Sequence, residues 1–286
     1  MFACCYEPFK LLMNHKEYYT NTLRQLEDFL DLAIDVTDAT AGQSNVPWNL
    51  VRGHQLYNRL TVTCMSFIHL LPENRYFPSN FKFWDFFSAA TLARNFIENY
   101  YFFFYVCVDE VEPSETEFRL LLLTYHLNNE KFKFYKEANK TEILAEFEQN
   151  LPNDKRKISE HPFFQKLDRK MQGDILKGIK FKYLSNKEIS QRIPFDTSEF
   201  EPLYRFFSNQ AHSTPWAFFT QDNQRGRGQE NEAEVSYITM AIEFVSKYLI
   251  AAILDMIKLF PESTNKLDAR KIEFIKKEFE QKKKGS

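Results

Sequence analysis

The stretch FKFWDFFSAATLARNFIENYYFFFYVCVD, residues 81–109, restricts the fold more than any other part of the chain. Read as a helix it is apolar nearly all round, and a helix of that kind belongs at the centre of a protein, covered by other helices. Its most apolar part, residues 100–108, is too short to span a bilayer, and Arg94 and Glu98 stand just before it. These two charges are four residues apart, so they can pair along the helix, or Arg94 can reach to a neighbouring element. Either way a buried charge needs a partner. With only 7 Gly in 286 residues, tight turns are scarce, which argues against sandwiches, barrels and Gly-rich nucleotide folds. The expectation is an all-α multi-helix bundle around this aromatic-rich helix, its core filled by the rings of 30 Phe and 14 Tyr.

Amphipathic stretches supply the surrounding helices. Residues 15–35 carry Leu23, Leu26, Leu30 and Ile34 on one stripe. Pro47 suits the first turn of a second helix that Pro72 stops, with Arg52 and Arg59 on its solvated face. Capping boxes are read at Ser114/Glu117, Ser185/Glu188 and Ser198/Glu201. Further helices are expected over 129–150, 234–260 and 267–284. We read 1–286 as a single helical domain. Within it, 151–194 forms a basic, partly helical insert that includes Lys155, Arg156 and Lys157, with Gly173 and Gly178. This insert is a solvated surface or an RNA-facing patch.

Several functions are disfavoured. A net charge of −2 gives no global basic field, so neither a nucleic-acid coat nor DNA sequence readout is expected. Cys4, Cys5, Cys64 and Cys107 form no CxxC and have no His at zinc-finger spacing, so no metal and no cofactor is expected. Scattered thiols fit a reducing cytoplasm. The start of the chain lacks the basic-then-apolar layout of a signal peptide, and no membrane association is expected. No P-loop, dinucleotide fingerprint, HExxH or GxSxG occurs. His54 and His69 read as packing or surface residues.

Chemistry concentrates in SEFEPLYRFFSNQAHSTP, residues 198–215. Tyr204, Ser208 and His212 recur every four residues and share a helical face; Arg205, seven before His212, falls on nearly the same side. A cation, two hydroxyls and an imidazole in one stripe suit a phosphate. The polar segment 221–232 follows, with Arg225 and Arg227 as candidate ligand or RNA contacts; it is a clamp or a plain connector.

Arg205 and His212 resemble the RX4–6H signature of the HEPN (higher eukaryotes and prokaryotes nucleotide-binding) ribonucleases. Arg119/His126 and Arg156/His161 also fit RX4–6H, but the first brackets a core-like LLLLTY and the second lies in a charged segment. Phe206 follows Arg205 where that family usually has a polar residue. The resemblance implies an all-helical, usually dimeric endoribonuclease of bacterial toxin or antiphage systems that works without a metal. Arg205 would steady charge on the scissile phosphate, His212 would move protons, and Tyr204 and Ser208 would contact phosphate or sugar. Leu92 to Glu98, as L-A-R-x-x-x-E, followed by Y-x-x-x-S-x-x-x-H also looks like an uncharacterised bacterial family of all-helical proteins, which would gather Arg94, Glu98, Tyr204, Ser208 and His212 into one buried cluster.

Two other readings stay open. One is a non-catalytic helical interaction module, with a partner protein or a second copy, whose polar stripe is a core network. The other is a nucleotide or small-ligand sensor using an aromatic cavity near Trp84 and Trp216. Burial of His212 separates the first from the nuclease.

Overall fold

The structure, a computed structural model, describes residues 14–42, 47–212, 214–219 and 225–284. Cys4, Cys5, Ser213 and the first part of the 221–232 segment lie outside the described residues. The protein is an all-α multi-helix bundle, as its periodicity predicts. Its helices are α1 His15–Thr40, α2 Trp48–Leu70, α3 Phe86–Phe103, α4 Pro113–Glu137, α5 Thr141–Glu160, α6 Pro162–Gln165, α7 Arg169–Leu176, α8 Asn186–Ser190, α9 Phe200–Ala211, α10 Pro215–Phe219, α11 Glu232–Leu259 and α12 Ala269–Lys284. Among the described residues no helix is long and apolar enough to cross a membrane.

The chain forms two compact units, one of Met1–Val108 with Ile193–Ser286 and one of Asp109–Arg192. In the first, α3 is central, packed by α2, α9 and α11, while α1 lies along α11. Rings make the contacts: Tyr100 lies 5.2 Å from Tyr248 and Tyr101 4.3 Å from Phe200, centroid to centroid, all of them buried. The central helix is shorter than 81–109. Asp85 caps it by accepting from the Ser88 amide, and it closes in a π turn, Phe104–Val108. There Cys107 abuts Gly53, where a Cβ would stand 3.1 Å from the sulfur, so glycine permits the close approach of α2.

In the second unit α4 and α5 form a hairpin with α6 across it, and the 151–192 part of the basic stretch lies in this unit. Of the capping boxes, Ser185/Glu188 forms on both sides. The other two do not. Pro113 opens α4 one residue ahead of Ser114, leaving Glu112 at the cap position. Ser198 instead bonds the Asp196 carboxylate, and α9 begins at Phe200. Asp196 thus accepts from both the amide and the hydroxyl of Ser198, a local turn that holds Ser198 ahead of the helix start.

One core carboxyl is out of place by charge. Asp255 of α11 accepts from the Tyr100 hydroxyl at 3.0 Å. Burial pushes its carboxyl up to about 7, against the opposing pull of that hydrogen bond and of Lys258. The protonated form is therefore the one the fold favours. Its stabilisation is complete below the unfolded-state value of about 4 and is lost as pH rises through 7. Asp255→Asn keeps an acceptor for Tyr100 and cannot ionise. Urea unfolding at pH 5 and pH 8 should find that the stability of the variant relative to wild type grows between the two pH values, by on the order of 2 kcal/mol. Equal pH dependence of the two proteins would refute this.

Candidate functional site

Helix α9 is held by rings on one edge and leaves polar chemistry on the other. Phe200 and Phe207 are buried, Phe206 stacks on Phe86 at 5.6 Å, and Phe207 packs on Phe244 at 5.6 Å. Phe200 stacks on Tyr204 at 5.2 Å, continuing the ladder that starts at Tyr101. At 100° per residue, Tyr204, Ser208, His212 and Arg205 fan outward in that order from the packed edge. Exposure follows the same order: Tyr204 and Ser208 are half-buried, His212 and Arg205 exposed.

At the inner end the structure brings Tyr204 onto the central helix. Arg94 donates through Nη2 to the Tyr204 hydroxyl at 3.1 Å and to Glu98 Oε1 at 3.0 Å, and the Tyr204 hydroxyl donates to the same Glu98 oxygen. The guanidinium also lies over the Tyr204 ring, 5.2 Å from its centroid. Burial and then the Glu98 carboxylate push the Tyr204 hydroxyl pKa up. Burial works against the Arg94 charge, but Tyr204 and Glu98 outweigh it, and its pKa is raised. The triad is thus a neutral hydroxyl bridging a fixed ion pair. Both alternatives left by the Arg94/Glu98 spacing are realised at once. Tyr204→Phe should cost about 1 kcal/mol in a urea titration, the usual size for a hydrogen bond between partly exposed groups. An unchanged midpoint would mean that the hydroxyl does not hold α9.

Ser208 Oγ is buried and has no hydrogen-bond partner among the described residues. His212 is not part of the inner cluster. The helix ends before it, and it occupies the cap position at φ −97°, ψ 7°, its amide donating to Ser208 O at 3.1 Å. Thr214 turns back to bond Asn209, at 2.7 Å between side chains, and closes the helix end around His212. Neither Arg205 nor His212 has a side-chain partner among the described residues.

The other Arg/His pairs within RX4–6H are occupied. Arg119 is 3 % exposed and bonded to Asp109 and Glu115, each at 2.6 Å. His126 Nδ1 lies 2.9 Å from the Gly178 carbonyl, which can only accept, so that nitrogen carries a proton. His161 caps α6, its Nδ1 accepting from the Phe163 amide.

The candidate RNA contacts separate. Lys155, Arg156 and Lys157 are exposed on α5 of the second unit, with Arg156 3.3 Å from Glu160. Lys157 borders a shallow groove floored by Leu120 and Leu121. In the first unit Arg225 is turned inward, its Nε 3.4 Å from the buried Glu234 and its guanidinium 4.6 Å from the Tyr237 ring centroid. Arg225 thus serves the protein's own acid, while Arg227 is exposed and has no partner among the described residues. Trp84 packs on Tyr19 and Trp216 on Phe206. Among the described residues no three His, Cys, Asp or Glu side chains gather as a metal site.

Sequence reasoning missed residues 81–85 as a surface element, because it carried the central helix through them. The signal was present: Asp85 with Ser88 three residues on, after Pro78 and Asn80, marks a helix start.

Residues 52–231, more than half of the chain, match a family described as "Family of unknown function (DUF5677)". No curated protein and no solved structure matches.

Proposed function

Since the chain belongs to DUF5677, a family without an assigned function, we propose its activity from its own side chains: α9 carries a phosphodiester-cleaving site for RNA of the HEPN-like, metal-independent kind. The observation that carries this reading is the pairing of Arg205 and His212. They are exposed on one edge of α9, uncommitted among the described residues, while the competing Arg/His pairs include residues bound into the fold.

The 2′-oxygen of the ribose attacks phosphorus as its proton is taken up, and the bond from phosphorus to the 5′-oxygen breaks as that oxygen gains a proton. The products are a 2′,3′-cyclic phosphate and a free 5′-hydroxyl. Arg205 offsets the charge that grows on the non-bridging oxygens. His212 transfers one of the two protons, and water or a second copy of the site handles the other. Arg94, Glu98 and Tyr204 touch no reacting atom in this scheme. They are positioning residues that set the inner end of α9, and Ser208 supplies the unpartnered hydroxyl between them and His212. The toxin or antiphage context, the cytoplasmic setting and the homodimer implied by the HEPN resemblance belong to the same proposal.

The test is incubation of the purified protein with RNA in EDTA, followed by analysis of the product ends. Fragments ending in 2′,3′-cyclic phosphate are expected; intact RNA overturns the reading.

A further inference from the structure

The segment that leads into α3 is extended at Trp84, whose amide donates to the Gly228 carbonyl at 3.0 Å in an isolated antiparallel bridge. Alternation along an extended chain sends neighbouring side chains to opposite sides. Trp84 turns inward at 1 % exposure, while Phe81 and Phe83 stand out at 76 % and 47 %. The two phenyl rings are nearly parallel, 16° apart with centroids at 6.0 Å. Phe83 rests against Gly228: a Cβ there would come within 1.9 Å of the ring, and φ is +73°. The backbone of residue 228 is therefore the seat of this ring pair, and only glycine provides it.

The surrounding charge is uneven. Lys82 and Lys16 are both engaged by Glu73, and Lys16 also by Glu230. Arg227, next in the chain to Gly228, is the exposed cation left without a partner among the described residues. The ring pair is also tied to the site helix, because three residues after Phe83 the chain reaches Phe86, which stacks on Phe206 of α9.

We propose that Phe81 and Phe83 form a stacking platform for the unpaired bases of single-stranded RNA, with Arg227 as the adjoining phosphate contact. Its ligand class rests on the nuclease reading of α9. Exposed flat rings beside an exposed cation accept any base by its π face, whereas bases in a duplex are already stacked on one another. The platform would select unstructured RNA and hold it beside α9 without reading its sequence.

The experiment uses the full chain carrying His212→Ala, in EDTA, so that binding is read without cleavage. Fluorescence anisotropy follows a labelled 20-nucleotide oligouridine and an RNA duplex of equal length. Phe81→Ala with Phe83→Ala should weaken oligouridine binding at least tenfold, about 1.4 kcal/mol, and duplex binding by less than threefold. Tyr at both positions should retain affinity within threefold, which also covers the case of a misfolded alanine variant, and Leu at both should behave as Ala. Arg227→Ala should weaken binding and flatten its salt dependence. No binding of oligouridine by the parent, unchanged affinity in the alanine variant, or full affinity in the leucine variant overturns the platform. So does a ring-dependent change in sedimentation alone, which would assign the rings to a second copy of the chain. A tenfold ring effect in a protein that leaves RNA intact would sink the nuclease and keep the platform; cleavage without a ring effect would do the reverse.

Discussion

His212→Ala is expected to slow RNA cleavage by a factor of roughly 10² to 10⁴, the usual contribution of a positioned acid or base. The urea midpoint should not move, because the side chain is exposed and has no partner among the described residues. That combination separates catalysis from structure. A His212 that belonged to a core network would lose stability on truncation, and the loss of activity would follow the loss of fold. Arg205→Ala should lower the rate by a comparable factor, and Arg205→Lys should recover only part of it, since an ammonium cannot present two parallel donors to a phosphate. The assay belongs in EDTA with cyclic-phosphate ends as the readout. Unchanged rates in both variants would refute the nuclease reading and leave the interaction module as the better account.

The second large effect lies in the other unit. Arg119→Met should destabilise it by about 3–5 kcal/mol, the cost of removing one partner from a buried ion pair. Arg119 is 3 % exposed and bonds Asp109 and Glu115, each at 2.6 Å; Arg192 reaches Asp109 at 2.8 Å, and the Tyr183 hydroxyl donates to Glu115. Burial first, and then that hydrogen bond to Glu115, push the Tyr183 hydroxyl pKa up. Asp109 and Arg192 are the first and last residues of this unit, so the cluster fastens the two ends of its chain together. Without Arg119, two carboxylates face each other with only Arg192 between them. Limited proteolysis should then cut within 109–192 before anywhere else, and urea unfolding should show a separate early transition. Adding Glu115→Leu to Arg119→Met should return part of the loss by removing one orphaned charge. A single variant within 1 kcal/mol of wild type, with no new cleavage, would mean that the cluster is surface ornament rather than a clasp.

Much of the site was legible in the residues. The four-residue recurrence of Tyr204, Ser208 and His212, and the Arg94/Glu98 spacing, place these groups on helix faces whatever surrounds them, because the helical repeat is a local property of the backbone. What that repeat could not tell was depth. The fan from half-buried Tyr204 to exposed His212 follows from how far α9 is rolled onto α3, and that roll is decided by Phe206 and Phe207 meeting Phe86 and Phe244. The single buried cluster implied by the YxxxSxxxH likeness is therefore only half-buried at its inner end, where the Arg94 and Glu98 side chains are 22 % and 37 % exposed, and open at its outer end.

The sequence by itself determined the all-helical class, the central place of the aromatic stretch, the short cap at Ser185 and the face shared by the candidate catalytic residues. The cap and the shared face rest on the local repeat of the helical backbone, and the class and the central place follow from a stretch too apolar all round to be left in water. Tertiary structure alone decided that residues 81–85 leave the helix to meet Gly228, that Arg225 turns in to Glu234 while Arg227 stays out, and that Arg119 is spent on a buried clasp. The physical reason is common to all three. Whether a ring or a cation is covered depends on partners distant along the chain, and composition near the residue carries no record of them.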